Sequence, residues 1–283
     1  MKGISTIGKI LIIWGIFLAA VSVVIQATGG WQGDIWGIHL SIQRPNPIMA
    51  ATVMAFAILS FLSKELRLDA GRIVEGLASR NKTSLFFWGS CFIVAVFILT
   101  MGAQSADLSI FDLNREDALG TYFHGILLFI VGVFALSRAN DRRNEPFGWF
   151  VMSWIFWVMA IDELTSIHES IPRRLSIGHS TNEIFGFVSW TVLLAPVILL
   201  VLAYFIKVSM RLSNRSRVLI ILGGACYVTA IVLEQMILVP HIQTLQCVAE
   251  EGMEITGTTM FIVAFAINRG LPDRKPKSRL SPI

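Results

Sequence analysis

Charge is what this 283-residue chain has least of: 15% of its residues are Asp, Glu, Lys or Arg, against 54% that are hydrophobic. Soluble domains carry near a quarter charged residues, so this balance, with a mean hydropathy of +0.68, excludes a soluble class. Cysteine is scarce too. Cys91, Cys226 and Cys247 form no CxxC or other metal-ligand spacing. The first two fall inside apolar runs, where a thiol behaves as a small hydrophobe, and no disulfide framework follows. An HExxH motif, a solenoid-type repeat and an evident inverted repeat are also missing. The formal charge of +4 implies no nucleic-acid partner, because the basic residues are sorted by loop rather than gathered on a soluble face.

What the chain does have is a series of uncharged runs near the roughly 20 residues that a membrane-spanning helix needs. Eight can be drawn: 7–27, 47–63, 84–103, 118–137, 147–166, 183–207, 217–239 and 248–268. They predict an all-α polytopic membrane helix bundle of about eight transmembrane helices. Residues 1–268 form one integral membrane domain in this reading, and 269–283, rich in proline and basic residues, form a disordered cytoplasmic tail. The first run lacks an A-x-A cleavage site, so it reads as a retained helix rather than a signal peptide.

Orientation follows from the positive-inside rule. With the N-terminus in the cytoplasm, 19 of the 23 Lys and Arg residues fall on that side, including every lysine. The outer side keeps only Arg44, Arg115, Arg173 and Arg174. Both termini are therefore expected in the cytoplasm. The acids sort the other way: 13 of the 19 Asp and Glu residues, and all five histidines, fall at or near outer ends. Loop charge bias does not require this second sorting, which points to an outer polar site shared by several helices.

Between the first two runs, residues about 29–43 alternate, with Trp36, Ile38, Leu40 and Ile42 facing one way and Gly37, His39 and Ser41 the other. Period-two alternation after glycines predicts a small β-hairpin, placed on the outer surface by its tryptophans. The basic stretch 64–82 is expected to form an amphipathic helix on the cytoplasmic surface. The sequons at Asn81 and Asn214 fall on that same side and suggest no glycosylation.

The chemistry gathers on three stretches. Residues 157–169 begin as an apolar helix and end with Asp162, Glu163, His168 and Glu169. Ionisable groups at membrane depth are costly, so they read as functional. Asp162, Ser166 and Glu169 recur at i, i+4 and i+7, which puts them on one face, while Glu163 is turned about 100° away. Asp162 and Glu169 therefore form the expected pair, with Glu163 or His168 serving another helix. At 250–258, Glu250, Glu254 and Thr258 share a face, and Gly257 permits close helix approach. Acids at a helix N-terminus are favoured by the macrodipole, which accounts for Glu250 and Glu251 but not for Glu254, a turn further in. His124, on the run 118–137, is either a ligand or a hydrogen-bonded group between helices.

Asp162-Glu163-x4-His168-Glu169 and Glu250-Glu251-x2-Glu254, together with Thr121 and His124, resemble a family of uncharacterised bacterial multi-pass membrane proteins. The resemblance covers most of the chain and implies a bacterial plasma (inner) membrane location, but no activity. Intramembrane hydrolases related to alkaline ceramidases carry several histidines on late helices, a pattern not matched here.

Carboxylates and imidazoles brought from different helices are what a divalent or di-metal site needs. The candidate ligands are His124, Asp162, Glu163, His168, Glu169, Glu250 and Glu254, with Asp162, Glu163 and Glu254 as candidate catalytic groups. Asp162 and Glu254 are expected at the centre. The outer arginines Arg44 and Arg115 suit bidentate binding of a phosphate on substrate. The reading favoured is a metal-dependent hydrolase or transferase acting on a lipid or lipid-linked envelope substrate, with the identity of the divalent ion open. Two others stand beside it: an ion- or proton-coupled transporter, and an accessory subunit that binds a membrane protein partner. The apolar inner halves of the runs weigh against a conduit.

Overall fold

The computed structural model describes residues 31–35, 38–42, 46–78, 91–100, 119–139, 146–167, 189–210, 212–235 and 243–267, with Thr6, Ile13 and Trp88 as single positions. Within them the chain is helical apart from one hairpin. Strands β1 (Trp31–Ile35) and β2 (Ile38–Ile42) pair antiparallel, Trp31 opposite Ile42 and Ile35 opposite Ile38. The helices are α1 (Asn46–Leu62), α2 (Lys64–Ala78), α3 (Cys91–Thr100), α4 (Leu119–Ala139), α5 (Pro146–Thr165), α6 (Ser189–Ser209), α7 (Asn214–Gln235) and α8 (Gln243–Ile267).

Among the described residues three helices are long and apolar enough to cross a membrane: Leu119–Ala139, Phe147–Thr165 and Asn214–Glu234. A fourth arises if α1 and α2, bent by 113°, count as one broken span. The predicted run 47–63 thus does not stop at a loop. Ser63 accepts a hydrogen bond from the Leu66 amide on its Oγ at 3.2 Å, capping α2 directly after α1 ends. A serine there satisfies one of the unpaired amides of a new helix and so starts it in a new direction. The run 7–27 lies outside the described residues, apart from Thr6 and Ile13. The run 84–103 is described as helix only over Cys91–Thr100, and the tail 269–283 is also outside.

Helix α4 is the centre. It packs against α5, α8 and α2, while α1 lies on α5 and α7 lies along α8. The core between them is aromatic and aliphatic: Trp157, Phe156, Phe134, Phe265, Leu128, Met152, Leu164 and Ile262 are fully buried. Trp157 donates its indole N–H to the Phe129 carbonyl at 3.3 Å, which ties α5 to α4. Phe156 sits edge-on or tilted against Phe205, Phe261 and Phe265, joining α5 to α6 and α8. Each such ring pair adds about 0.5–1.5 kcal/mol beyond burial.

Two close helix contacts set the register at the site. A Cβ added at Gly125 would meet Leu164 Cγ at 3.0 Å, so α4 and α5 touch there. A Cβ at Gly257 would lie 2.8 Å from the Gly223 carbonyl oxygen and 2.9 Å from the Tyr227 ring. Small residues at a crossing let two backbones approach; Gly257 does so as its sequence suggested, and Gly223 is its partner.

Candidate metal centre

The Gly125–Leu164 contact places the residues just before each of them, His124 and Glu163, side by side. The Gly223–Gly257 contact does the same for Tyr227, four residues beyond Gly223, and Thr258, the residue after Gly257. His124 stands where the two meet. It is 1% exposed, on a helix buried along most of its length.

Its two nitrogens have different surroundings. Nε2 lies 2.9 Å from the Tyr227 hydroxyl and 3.1 Å from Thr258 Oγ1, and these two hydroxyls are hydrogen-bonded to each other. Tyr227 is held by stacking on Phe261, ring centroids 5.8 Å apart and planes 12° apart. Nδ1 lies 3.2 Å from Glu163 Oε1 and 3.2 Å from Glu254 Oε2. Neither contact has hydrogen-bond geometry, and Nδ1 is buried without a hydrogen-bond partner. Among the described residues, one ligand atom from each of His124, Glu163 and Glu254 lies within 4.8 Å of the others, a group able to hold a metal ion.

With its proton on Nε2, the imidazole would aim the Nδ1 lone pair at two carboxylate oxygens, which repel it. A proton on Nδ1, which makes the contacts ion pairs, or a metal cation between the three removes that repulsion. Ligand atoms about 2.0–2.2 Å from an ion such as zinc stand roughly 3.0–3.6 Å from one another, a range that takes in the two 3.2 Å spacings at Nδ1. The hydroxyl pair at Nε2 holds the ring orientation from its other side.

Helical phase explains why Glu163, rather than Asp162, joins this group. On α5 the buried stripe runs through Phe156, Trp157, Ala160 and Leu164. At about 100° per residue, Glu163 sits about 60° from Ala160, on the stripe's edge. Asp162 is on the far side, about 160–200° from both Ala160 and Leu164. Among the described residues the group is thus Glu163 and Glu254 with His124, while Asp162, expected at the centre with Glu254, is not in it; the apolar stripe carried the signal. Nor does the face Asp162–Ser166–Glu169 run unbroken: α5 ends at Thr165, and Ser166 takes a φ of 51°. A left-handed serine costs about 1 kcal/mol, and Glu169 itself lies outside the described residues.

On α8, Glu254 and Thr258 share a face as expected, and both meet His124. Glu250 is not in the group; it lies about 80° round the helix from Thr258. Instead Glu251 falls within about 20° of Thr258, and its Oε2 is buried without a hydrogen-bond partner. Glu251 interacts electrostatically with Glu163, Glu254, Glu250 and His124. Tyr227 had no signal in the sequence, being one apolar-flanked tyrosine on a long apolar helix. His168, Glu169, Arg44 and Arg115 lie outside the described residues.

A family model described as "Domain of unknown function (DUF8692)" matches residues 48–268, and the chain belongs to that family. The match takes in every helix that contributes to the centre. No solved structure matches the chain.

Proposed function

We propose that this member of the DUF8692 family is an integral membrane protein that binds a divalent metal ion through His124, Glu163 and Glu254. The observation that carries the reading is the buried Nδ1 of His124, set 3.2 Å from each of two carboxylate oxygens with no hydrogen bond to either. One imidazole and two carboxylates form a mixed set that suits zinc, manganese or iron(II). Three protein ligands leave coordination positions open, the arrangement of catalytic rather than structural sites. A metal there activates water and polarises a carbonyl or phosphoryl oxygen.

The membrane setting is supported by the apolar surface. Phe92, Ile93 and Phe97 on α3, Leu199 and Leu200 on α6, and Ile221, Val228 and Val232 on α7 are all exposed. Exposed apolar side chains in this number suit a lipid surface. In our reading the chain spans a bacterial plasma membrane about eight times with both ends in the cytoplasm. The centre faces outward beneath the 31–42 hairpin, and the substrate is a lipid or a lipid-linked envelope precursor whose phosphate meets Arg44 and Arg115. A metal-dependent hydrolase or transferase fits this placement.

Metal analysis of the purified protein in lipid nanodiscs tests the site. The wild type is expected to retain about one Zn²⁺ or Mn²⁺ per chain, Glu163→Gln and Glu254→Gln to lose it, and Asp162→Asn to keep it. A wild type that binds neither ion rejects the proposal. The enzyme reading is tested separately, by mass spectrometry of bacterial lipid extracts incubated with metal-loaded wild type and with Glu254→Gln. A product formed only by the former is the expected result, and identical lipid profiles reject it.

A further inference from the structure

We infer that the metal centre lies inside the apolar layer of the membrane, beneath the headgroups, and receives the neutral acyl ester carbonyl of an outer-leaflet phospholipid rather than its phosphate. The inference deepens the proposed metal reading and rests on it. Charged residues along the helices give a depth scale, because such groups are costly within the apolar layer. On α7, Arg217 and Glu234 bound a stretch without any charged residue. Tyr227 stands ten positions from the first and seven from the second, about 15 Å and about 10 Å at the helical rise. On α4, His124 lies about 21 Å from Arg138 by the same rise. The Tyr227 hydroxyl is 2.9 Å from His124 Nε2, so both helices measure one level. Counted from these arginines through an apolar layer roughly 30 Å thick, that level falls about 10–15 Å short of the outer boundary. The surface agrees. Ile126, two positions past His124, and Val228, next to Tyr227, are exposed apolar side chains at this depth, and Val232 and Leu245 are exposed further outward on α7 and α8.

The centre is open on one side. His124 is buried, whereas the side chains of Glu163 and Glu254 are 19% and 24% exposed, so a ligand approaches past the carboxylates. No Lys or Arg stands on α5 or α8. Those of α4 and α7 are Arg138, Arg215 and Arg217, at the helix ends away from the centre. A phosphate is recognised by cationic N–H donors, and none of these four helices brings one to this level. Carrying a phosphate anion there would add the cost of a charge in the apolar layer. An acyl ester carbonyl is uncharged, and it is the polar group joined directly to the hydrocarbon chains of the lipid. An ion held by His124, Glu163 and Glu254 polarises such an oxygen. The phosphate of the same lipid stays at the surface, the level to which the reading above assigns Arg44 and Arg115. In the hydrolase case, water adds to the carbonyl carbon and the bond from that carbon to the alcohol oxygen breaks. The fatty acid keeps the hydroxyl of the water, and the alcohol oxygen takes the remaining proton.

The full chain in nanodiscs, loaded with Mn²⁺, tests depth and substrate class separately. Mn²⁺ speeds the relaxation of a nearby nitroxide, so electron paramagnetic resonance of spin-labelled phospholipids reports the level of the ion. Wild type is expected to act more strongly on a label at the fifth acyl carbon than on one at the headgroup. The difference should be lost with Zn²⁺ in place of Mn²⁺ and in Glu254→Gln. A stronger effect at the headgroup would put the centre at the surface and overturn the inference. Mass spectrometry of a bacterial lipid extract incubated with the metal-loaded wild type reads the class. Free fatty acid and the matching lysophospholipid are expected, and neither with Glu254→Gln. Products that keep every acyl ester but lose a phosphate or headgroup would overturn the inference. An unchanged profile would reject the enzyme reading and this substrate assignment with it. A wild type that binds no Mn²⁺, by contrast, would reject the metal reading beneath both.

Discussion

The two ends of this bundle both bury ionic groups, and they handle them in opposite ways. At one end, arginines meet helix C-termini. Arg67 donates to the Ser60 and Phe61 carbonyls closing α1, each at 2.8 Å. Arg138 donates to the Phe265 carbonyl near the end of α8 at 3.0 Å. Arg217 donates to the Met210 carbonyl just beyond α6 at 2.8 Å. Each cation answers carbonyls left without intrahelical partners, at the negative pole of a helix dipole. At the other end, the carboxylates of Glu163 and Glu254 each lie 3.2 Å from one imidazole nitrogen. Buried atoms without a hydrogen bond occur at both ends, Arg217 Nε at the first and His124 Nδ1 at the second. His124 and Arg138 are on the same helix, 14 positions apart, about 21 Å along its axis. At the arginine end the cations meet carbonyl acceptors of the protein itself, whereas at the histidine end two carboxylates converge on one imidazole, a group able to hold a cation. Natural proteins leave buried groups unsatisfied where function needs them.

The comparison can be broken by substitution at either end. The largest effect is expected from His124→Ala, which removes the nitrogen from the proposed ligand group. It should weaken Zn²⁺ or Mn²⁺ binding by more than about 100-fold, beyond the 10–100-fold typical of outer-shell changes, while metal-free protein still folds. Isothermal titration in nanodiscs measures it, and retained affinity would show that the two ends do not differ. Next in size, Arg138→Ala should cost about 1.5–3 kcal/mol of stability, the range for a hydrogen bond to a charged group, and leave metal affinity unchanged. Reversible unfolding in mixed micelles reads that cost. Tyr227→Phe removes one hydroxyl from Nε2 and leaves the ring on Phe261. About tenfold weaker metal binding, with stability changed by less than about 1 kcal/mol, is expected from the loss of an outer-shell partner. The smallest effect belongs to Arg217→Ala, whose guanidinium reaches exposed carbonyls. It should cost about 0.3–1 kcal/mol and shrink further in high salt.

Much of this division was legible before any coordinates. Counting Lys and Arg by loop separates one side from the other, and the three capping arginines all fall on the side it assigns to the cytoplasm. The Glu254–Thr258 face and the close approach at Gly257 follow from spacing alone. Local periodicity also held the answer that the wider reading of 157–169 missed. Phe156, Trp157, Ala160 and Leu164 mark the inward stripe, and that stripe selects Glu163 over Asp162. The four charged residues of that stretch attracted attention as a motif, whereas helical geometry distributes them around the axis.

What the sequence determined by itself was composition, helix content and the uneven sharing of acids and bases between helix ends. These are properties of single segments, set by hydropathy, helical period and charge. Only the tertiary structure decided which segments meet: α4 against α5 at Gly125 and Leu164, and α7 against α8 at Gly223 and Gly257. The reason is physical. In a bilayer, apolar residues serve both faces of a helix, because lipid is as apolar as a neighbouring helix. Hydropathy therefore cannot say which side of α7 turns toward a partner, and Tyr227 could not be placed beside His124. The centre arises from contacts between four helices, and that pairing is written in packing rather than in any one stretch of sequence.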